Sequence, residues 1–221
     1  MADKQLQELF ATLLAQYGHR HWWPGETPFE VCVGAILTQN TNWGNVEKAI
    51  ANLKAADRLS IMGINSLLPD ELAALIRPAG YFNVKAARLQ AFTAFVLQAY
   101  DGSLDRLFTG PWQITRQELL AVKGIGPETA DSILLYAGQK PSFVVDAYTR
   151  RIFSRLGLVD EQVGYDRLRD FFIDRLPQDT VLFNEYHALI VELGKQACRP
   201  KSRCNACCLA ASCQHGARNT G

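Results

Sequence analysis

Apolar residues along this chain recur mostly at helical spacing. Leu6, Leu9, Phe10, Leu13, Leu14 and Tyr17 fall on one face and predict a first amphipathic helix. Thr27 and Glu30 make a capping-box pattern, with Pro28 at the first helical position. The run from Val31 to Leu37 is apolar on all sides, which predicts a helix central to its domain. Leu89, Phe92, Val96 and Ala99 mark another amphipathic helix. Thr115 and Glu118 form a second capping box before Leu119, Leu120 and Val122. That short helix is expected to stop at Lys123-Gly124-Ile125-Gly126. A new one then runs from Pro127 through Ala130, Ile133, Leu134 and Ala137 to Gly138. Phe143-Val144-Val145 reads as extended and apolar. Asp146 opens a helix through Ile152 that Gly157 ends. Leu168, Phe171 and Phe172 mark one further helix, and Leu189, Ile190 and Leu193 another. There is no repeat, no low-complexity tract and no strand pattern, so the expected class is all-α.

Composition adds little to this picture. Hydrophobic residues make up 48% and charged residues 20% of 221, which is ordinary for a globular chain able to bury a core. No apolar run approaches the roughly 20 residues needed to cross a membrane. Met1-Ala2-Asp3-Lys4-Gln5 lacks the pattern of a signal peptide. A cytoplasmic protein with no membrane partner is expected, nucleoid-associated if bacterial. Charge changes the picture more. The net charge is only +1, yet Arg199, Lys201, Arg203 and Arg218 follow Cys198 with no acid among them. Lys140 to Arg155 holds four basic residues and the single acid Asp146. Local patches of this kind can meet phosphate in a chain that is neutral overall; a solvated basic tail fits the same residues.

Two constellations carry chemistry. In Lys123-Gly124-Ile125-Gly126 the glycines permit a tight turn and close approach of another backbone. Exposed N–H groups at the start of the second helix, with Lys123 beside them, suit one DNA phosphate. An ordinary helix–helix turn fits these four residues as well. The second constellation is Cys198, Cys204, Cys207 and Cys213, separated by five, two and five residues. Such a cluster in a cytosolic protein points to metal rather than disulfides. Four thiolates suit tetrahedral zinc and an iron–sulfur cluster equally. Cys208 reads as a bystander and Cys32 as core.

The wider segment from Leu119 to Ala130 resembles the helix-hairpin-helix of the endonuclease III superfamily of DNA glycosylases. Val144-Val145-Asp146 is similar to that family's catalytic Val-Asp segment. Ile36-Leu37-Thr38-Gln39-Asn40-Thr41 resembles its early motif, which sets a Gln near the gap left by a flipped base. The likeness runs from about Phe29 to Cys213. It implies that Asp146 is the catalytic carboxylate. It also implies that Gln39, Asn40, Lys123, Gly124, Ile125, Gly126 and Thr129 meet DNA, joined by Arg199, Lys201 and Arg203. The four cysteines would hold a [4Fe–4S] cluster, with a first gap one residue shorter than the family's. Judged locally, Asp146 is also a favoured N-cap, and both roles can hold together. Bifunctional members carry a lysine two residues after the second hairpin glycine. Glu128 stands there, and glutamate cannot form an imine.

Trp22-Trp23-Pro24, Trp43 and the segment Arg77-Pro78-Ala79-Gly80-Tyr81-Phe82-Asn83-Val84-Lys85 add aromatic and basic residues. Ordinary packing is the plain reading of any one tryptophan. Together these segments resemble the 3-methyladenine DNA glycosylase III branch. That likeness implies a base pocket at Trp22, Trp23, Pro24 and Trp43, where indole faces attract a cationic methylated purine. The expected architecture has a helical barrel over about residues 28–140, with the hairpin near 115–138. A second domain takes residues 1–27 and 141–221 with the cluster, and Asp146 and the hairpin flank the cleft. The expected function is monofunctional hydrolysis of an alkylated purine from double-stranded DNA by a monomer. An oxidised-pyrimidine glycosylase with lyase activity, a mismatch or uracil glycosylase, a non-catalytic damaged-DNA binder and a zinc-stapled module are the rivals.

Overall fold

The computed structural model describes residues 3–20, 22 and 25–218; Trp23 and Pro24 therefore lie outside the described residues. Among the described residues there are thirteen α-helices and no strand. In chain order they are α1 (Lys4–Tyr17), α2 (Pro28–Leu37), α3 (Trp43–Ala55), α4 (Ile61–Asn65), α5 (Pro69–Leu75), α6 (Phe82–Tyr100) and α7 (Leu104–Thr109). Then come α8 (Trp112–Ala121), α9 (Pro127–Ser132), α10 (Ala147–Leu156), α11 (Tyr165–Ile173), α12 (Thr180–Gln196) and α13 (Gln214–Ala217). A π-helical turn, Ile133–Ala137, continues α9. No helix among the described residues is long and apolar enough to cross a membrane. The chain divides into two compact units: Trp23–Lys140, and Met1–Trp22 with Pro141–Gly221.

The first unit is organised around α2, whose residues from Phe29 to Leu37 are all buried. It packs on α3, α6, α9 and the π turn. The all-round apolar run requires this, since every face of the helix needs a partner out of water. Thr27 caps the helix by accepting from the Glu30 amide at 3.1 Å. The reciprocal half of the expected capping box is missing. The Glu30 carboxylate instead pairs with Lys54 at 3.0 Å and accepts from the Glu26 amide at 3.4 Å. At the other end, the buried Lys85 donates to the Leu37 carbonyl at 2.8 Å and to Ala79 at 2.7 Å. Burial, and then the charge of Arg88, lower the Lys85 pKa. This lysine closes helix ends and is not a surface cation.

The expected capping box at Thr115 is wrong. Helix α8 begins at Trp112, with Pro111 in the cap position at φ −59°. Proline presets the backbone angle a helix needs, so the helix starts four residues earlier. Thr115 is buried inside it and donates to the Leu107 carbonyl at 3.2 Å. Glu118 accepts from the Tyr100 hydroxyl.

In the second unit α12 is the buried spine. It packs against α1 and α10. Gly194 makes the α10 contact close: a Cβ there would stand 2.2 Å from Cδ1 of Tyr148. The N-terminal helix is tied in by Tyr186, whose hydroxyl donates to the Leu6 carbonyl at 2.9 Å, and by the Asp3 amide on Arg175 O at 2.7 Å. Phe143, in the extended segment, stacks on Phe172 with centroids 4.0 Å apart. Phe183 and Tyr186 meet it edge-on at 5.2 and 6.1 Å. That stack anchors the three residues leading into Asp146. Phe143→Ala is expected to cost about 3–5 kcal/mol, read as a lower urea midpoint by far-UV circular dichroism. A loss under about 1 kcal/mol would mean the cluster refills the gap.

Candidate active site and cysteine loop

In the unit Trp23–Lys140, α8 ends at Ala121 and α9 begins at Pro127. Between them Gly124 adopts φ +89°, the left-handed region that favours glycine. A Cβ there would also stand 2.3 Å from Cγ of Arg88. Ile125 turns inward and is buried, while Lys123 and Gly126 stay exposed. Nothing lies within 4 Å of where a Cβ of Gly126 would sit. The hairpin therefore offers an open backbone surface with a cation at its edge, which is what a phosphate contact needs. Glu128 is exposed in the first turn of α9, where the helix dipole favours an acid.

Gln39 is locked against this hairpin. Its Nε2 donates to Thr129 Oγ1 at 2.9 Å and lies 3.5 Å from the Gly124 carbonyl. Arg88 donates to its Oε1. Both ends of the amide are thus engaged, and Thr129 itself is buried. Asn40 is exposed with φ 54°, a conformation its short polar side chain tolerates. Trp43 opens α3, half-buried, with Nε1 donating to Glu47 at 3.0 Å. Arg77 lies over the ring of Phe82 at 5.9 Å, while Tyr81 is largely exposed.

In the other unit, Asp146 is the N-cap of α10. Its Oδ1 accepts from the Thr149 amide at 2.8 Å and the Thr149 hydroxyl at 3.0 Å. Its Oδ2 faces Nε2 of His187 on α12 at 3.5 Å. Burial pushes the carboxyl pKa up, but the His187 contact and charge and the two Thr149 donors outweigh it. The net effect holds Asp146 below the ordinary carboxylate range. The Trp22 ring meets His187 edge-on, with centroids 6.4 Å apart at 80°. Lys195 Nζ lies 5.4 Å over the Trp22 ring. Trp22 and Asp146, separated by most of the sequence, thus meet through His187. Sequence reasoning missed that residue. Its signal was a titratable ring between Tyr186 and Ala188-Leu189-Ile190 in an otherwise apolar stretch of helix.

Cys198, Cys204, Cys207 and Cys213 line one small cavity, which Cys208 does not. Two arginines of α10 hold the loop that carries them. Arg151 Nε donates to the Cys198 carbonyl at 2.8 Å. Arg155 reaches the carbonyls of Arg199 and Pro200 at 2.6 and 3.0 Å and lies 3.4 Å from the Cys198 sulfur. Burial chiefly, with the neighbouring thiols adding, pushes the Cys207 thiol up to about 11; the Leu209 amide partly offsets this. A cationic group bound among the four sulfurs would relieve that crowding. Arg199, Lys201 and Arg203 are exposed on the same loop.

A family model described as HhH-GPD superfamily base excision DNA repair protein matches residues 33–178. A putative DNA repair glycosylase of Methanocaldococcus jannaschii is 50% identical over 205 residues, covering 92% of this chain and 93% of that protein. Endonuclease III of Thermotoga maritima is 28% identical over 212 residues, covering 95% and 92%. Among solved structures, the H. pylori 3-methyladenine DNA glycosylase bound to 1,N6-ethenoadenine matches with a TM-score of 0.74 and 34% identity, over 87% of this chain and 95% of that one. A trapped endonuclease III–DNA covalent intermediate shares the fold across the full length of both chains, with a TM-score of 0.85 at 20% identity. The chain belongs to the HhH-GPD superfamily of base excision DNA repair proteins, and within it is a DNA glycosylase.

Proposed function

We propose that this glycosylase is monofunctional and hydrolyses the N-glycosidic bond of an N-alkylated purine, of the 3-methyladenine type, flipped out of double-stranded DNA. The observation that carries the reading is the state of Asp146. It is an oriented carboxylate held below its ordinary pKa, in a chain whose hairpin bears Glu128 where an imine-forming lysine would stand. The unit with the hairpin docks the DNA backbone, and the unit with the cysteines carries the carboxylate.

The target base must first leave the stack, at a cost of a few kcal/mol that is smaller for damaged bases. Lys123 and the backbone at Gly124 to Gly126 hold a phosphate, with Gln39, Asn40 and Thr129 beside them; Arg199, Lys201 and Arg203 hold another stretch of backbone. As the bond from C1′ to the base nitrogen breaks, its electron pair leaves with the base and positive charge builds on the sugar. A fixed carboxylate stabilises that charge most where solvent is excluded. A water oxygen then adds to C1′ and its proton passes to solvent. A depressed pKa makes Asp146 a weak base, so its part is mainly electrostatic. An alkylated purine carries positive charge and departs neutral, so it needs no general acid. The indole of Trp22, which already has an ammonium over its ring, suits such a cation, as does Trp43. Trp23 and Pro24, which lie outside the described residues, are proposed for base contact from the sequence likeness alone. The H. pylori relative, a 3-methyladenine glycosylase with a bound ethenoadenine, supports the same substrate class.

The four cysteines are proposed to hold a [4Fe–4S] cluster. They line one cavity, and four thiolates suit such a cluster. The cluster would staple the loop rather than take part in base release.

Incubation with methylated duplex is expected to yield free methylpurine and strand breaks only after alkali. Direct breaks would overturn the monofunctional reading. Asp146→Asn is expected to slow single-turnover release by on the order of 10²–10³-fold. Because the Asp146 pKa is depressed, its ionised form persists until pH falls through the folded-state value. The release rate should therefore show no acid limb from this group above about pH 4. An acid limb near pH 5 to 6 that vanishes in Asp146→Asn would contradict the assignment. Purified protein should be brown, and Cys207→Ala should lose the visible absorbance; a colourless protein containing zinc would favour the rival metal.

A further inference from the structure

The proposed chemistry uses the charge of Asp146 but gives no task to His187. The carboxylate has two oxygens, and the helix start accounts for one of them. Thr149 supplies both of its donors to Oδ1. Left with those contacts alone, the carboxylate could swing Oδ2 about its own terminal torsion, which is broad for Asp. Oδ2 instead faces the imidazole Nε2 of His187 at 3.5 Å, on a different helix. That distance is long for a hydrogen bond and within reach of a charge contact. The imidazole is itself fixed. It is buried on the spine helix and braced edge-on by Trp22, with Lys195 from two turns further along α12 over the far ring.

We infer that His187 is a positioning residue for the reaction, fixing Oδ2 of Asp146 from α12 while Thr149 fixes Oδ1, so that the carboxylate is set from two helices toward the sugar. The role requires an N–H on Nε2, which the Nε2-protonated neutral ring and the imidazolium both supply. The neutral ring would orient Asp146 without cancelling its charge. This assignment rests on the reading of Asp146 as the catalytic carboxylate. Trp22 acquires a second task from it. Besides offering a face to the base, it holds the ring that holds the carboxylate.

The test is a double-mutant cycle on the full-length protein, read as single-turnover release from methylated duplex and, separately, as affinity for the same DNA. His187→Leu keeps an apolar filling of similar size and removes the N–H. It is expected to slow release by on the order of a hundredfold, with affinity unchanged within about twofold. His187→Gln restores an N–H donor and is expected to recover most of the rate. In the Asp146→Asn background, His187→Leu should add nothing, because a group acting through Asp146 has no separate effect once Asp146 is gone. A purely structural His187 would give additive losses, no recovery by Gln, and a fall in thermal midpoint that tracks the fall in rate. That pattern, or full activity of His187→Leu, overturns the inference. If Asp146→Asn itself keeps the wild-type rate, the catalytic reading fails instead, and the two failures are distinguishable. A readout independent of any substrate is the ¹³C resonance of the Asp146 carboxyl. Its midpoint is expected to rise in His187→Leu and return toward wild type in His187→Gln. An unmoved midpoint counts against the pairing whatever the activity shows.

Discussion

The start of α10 is where the structure and its chemistry share one set of atoms. A helix leaves its first amides without partners, and Asp146 answers with Oδ1 on the Thr149 amide. The same carboxylate is the group proposed to face the sugar. Capping fixes its backbone and one oxygen, and the stacked Phe143 behind it fixes the segment that delivers it. Eleven residues on, Gly157 caps the end of α10, after Arg151 and Arg155 have taken hold of the cysteine loop. One short helix thus has the carboxylate at its head and the grip on the cysteine loop along its flank. A change that shifted α10 along its axis would disturb both.

The other unit solves a comparable problem by different means. Its spine, α2, runs straight into the Thr38-Gln39-Asn40-Thr41 turn, so the end of a fully buried helix delivers the residues expected at the DNA. The terminal carbonyls of such a helix cannot reach water. The buried Lys85 ammonium satisfies Leu37, and its cost of desolvation appears in a lowered pKa. Gln39 emerges from that turn already pinned between Arg88 and Thr129. It is preorganised by the hairpin it accompanies, so little rotamer freedom remains to be lost on binding.

Much of this was legible in the sequence where the signal is local. The heptad-like faces of α1, α6 and α12, the Gly-Ile-Gly turn and the Asp146 cap depend on residues within a few positions of one another. The cysteine spacing is local too, and all four predicted thiols meet around one cavity while Cys208 stays out. What stayed hidden was mostly long-range. Nothing near Asp146 in sequence announces His187, and only the packing of α10 on α12 joins them. The helices α3, α4, α5 and α7 escaped notice because three of them are a turn or two long. Yet Asn42, Ser60 and Ser103 cap α3, α4 and α7 with their side chains, and those residue types were there to be read. Thr115 misled for the opposite reason. It has the residue type and spacing of a cap, but Pro111 had already set the helix angle upstream.

The two hairpin glycines stand under unlike constraints. At position 124 the fold itself forbids a side chain twice over, through the backbone angle and through Arg88. Shortening Arg88 would lift one prohibition and leave the other. At position 126 the backbone is extended, at φ −93° and ψ 176°, and the space where a methyl would go is empty. The protein's own interior raises no objection to alanine there. The glycine at 124 therefore serves the fold, while at 126 the proposed approach of a DNA phosphate supplies the reason for a bare backbone.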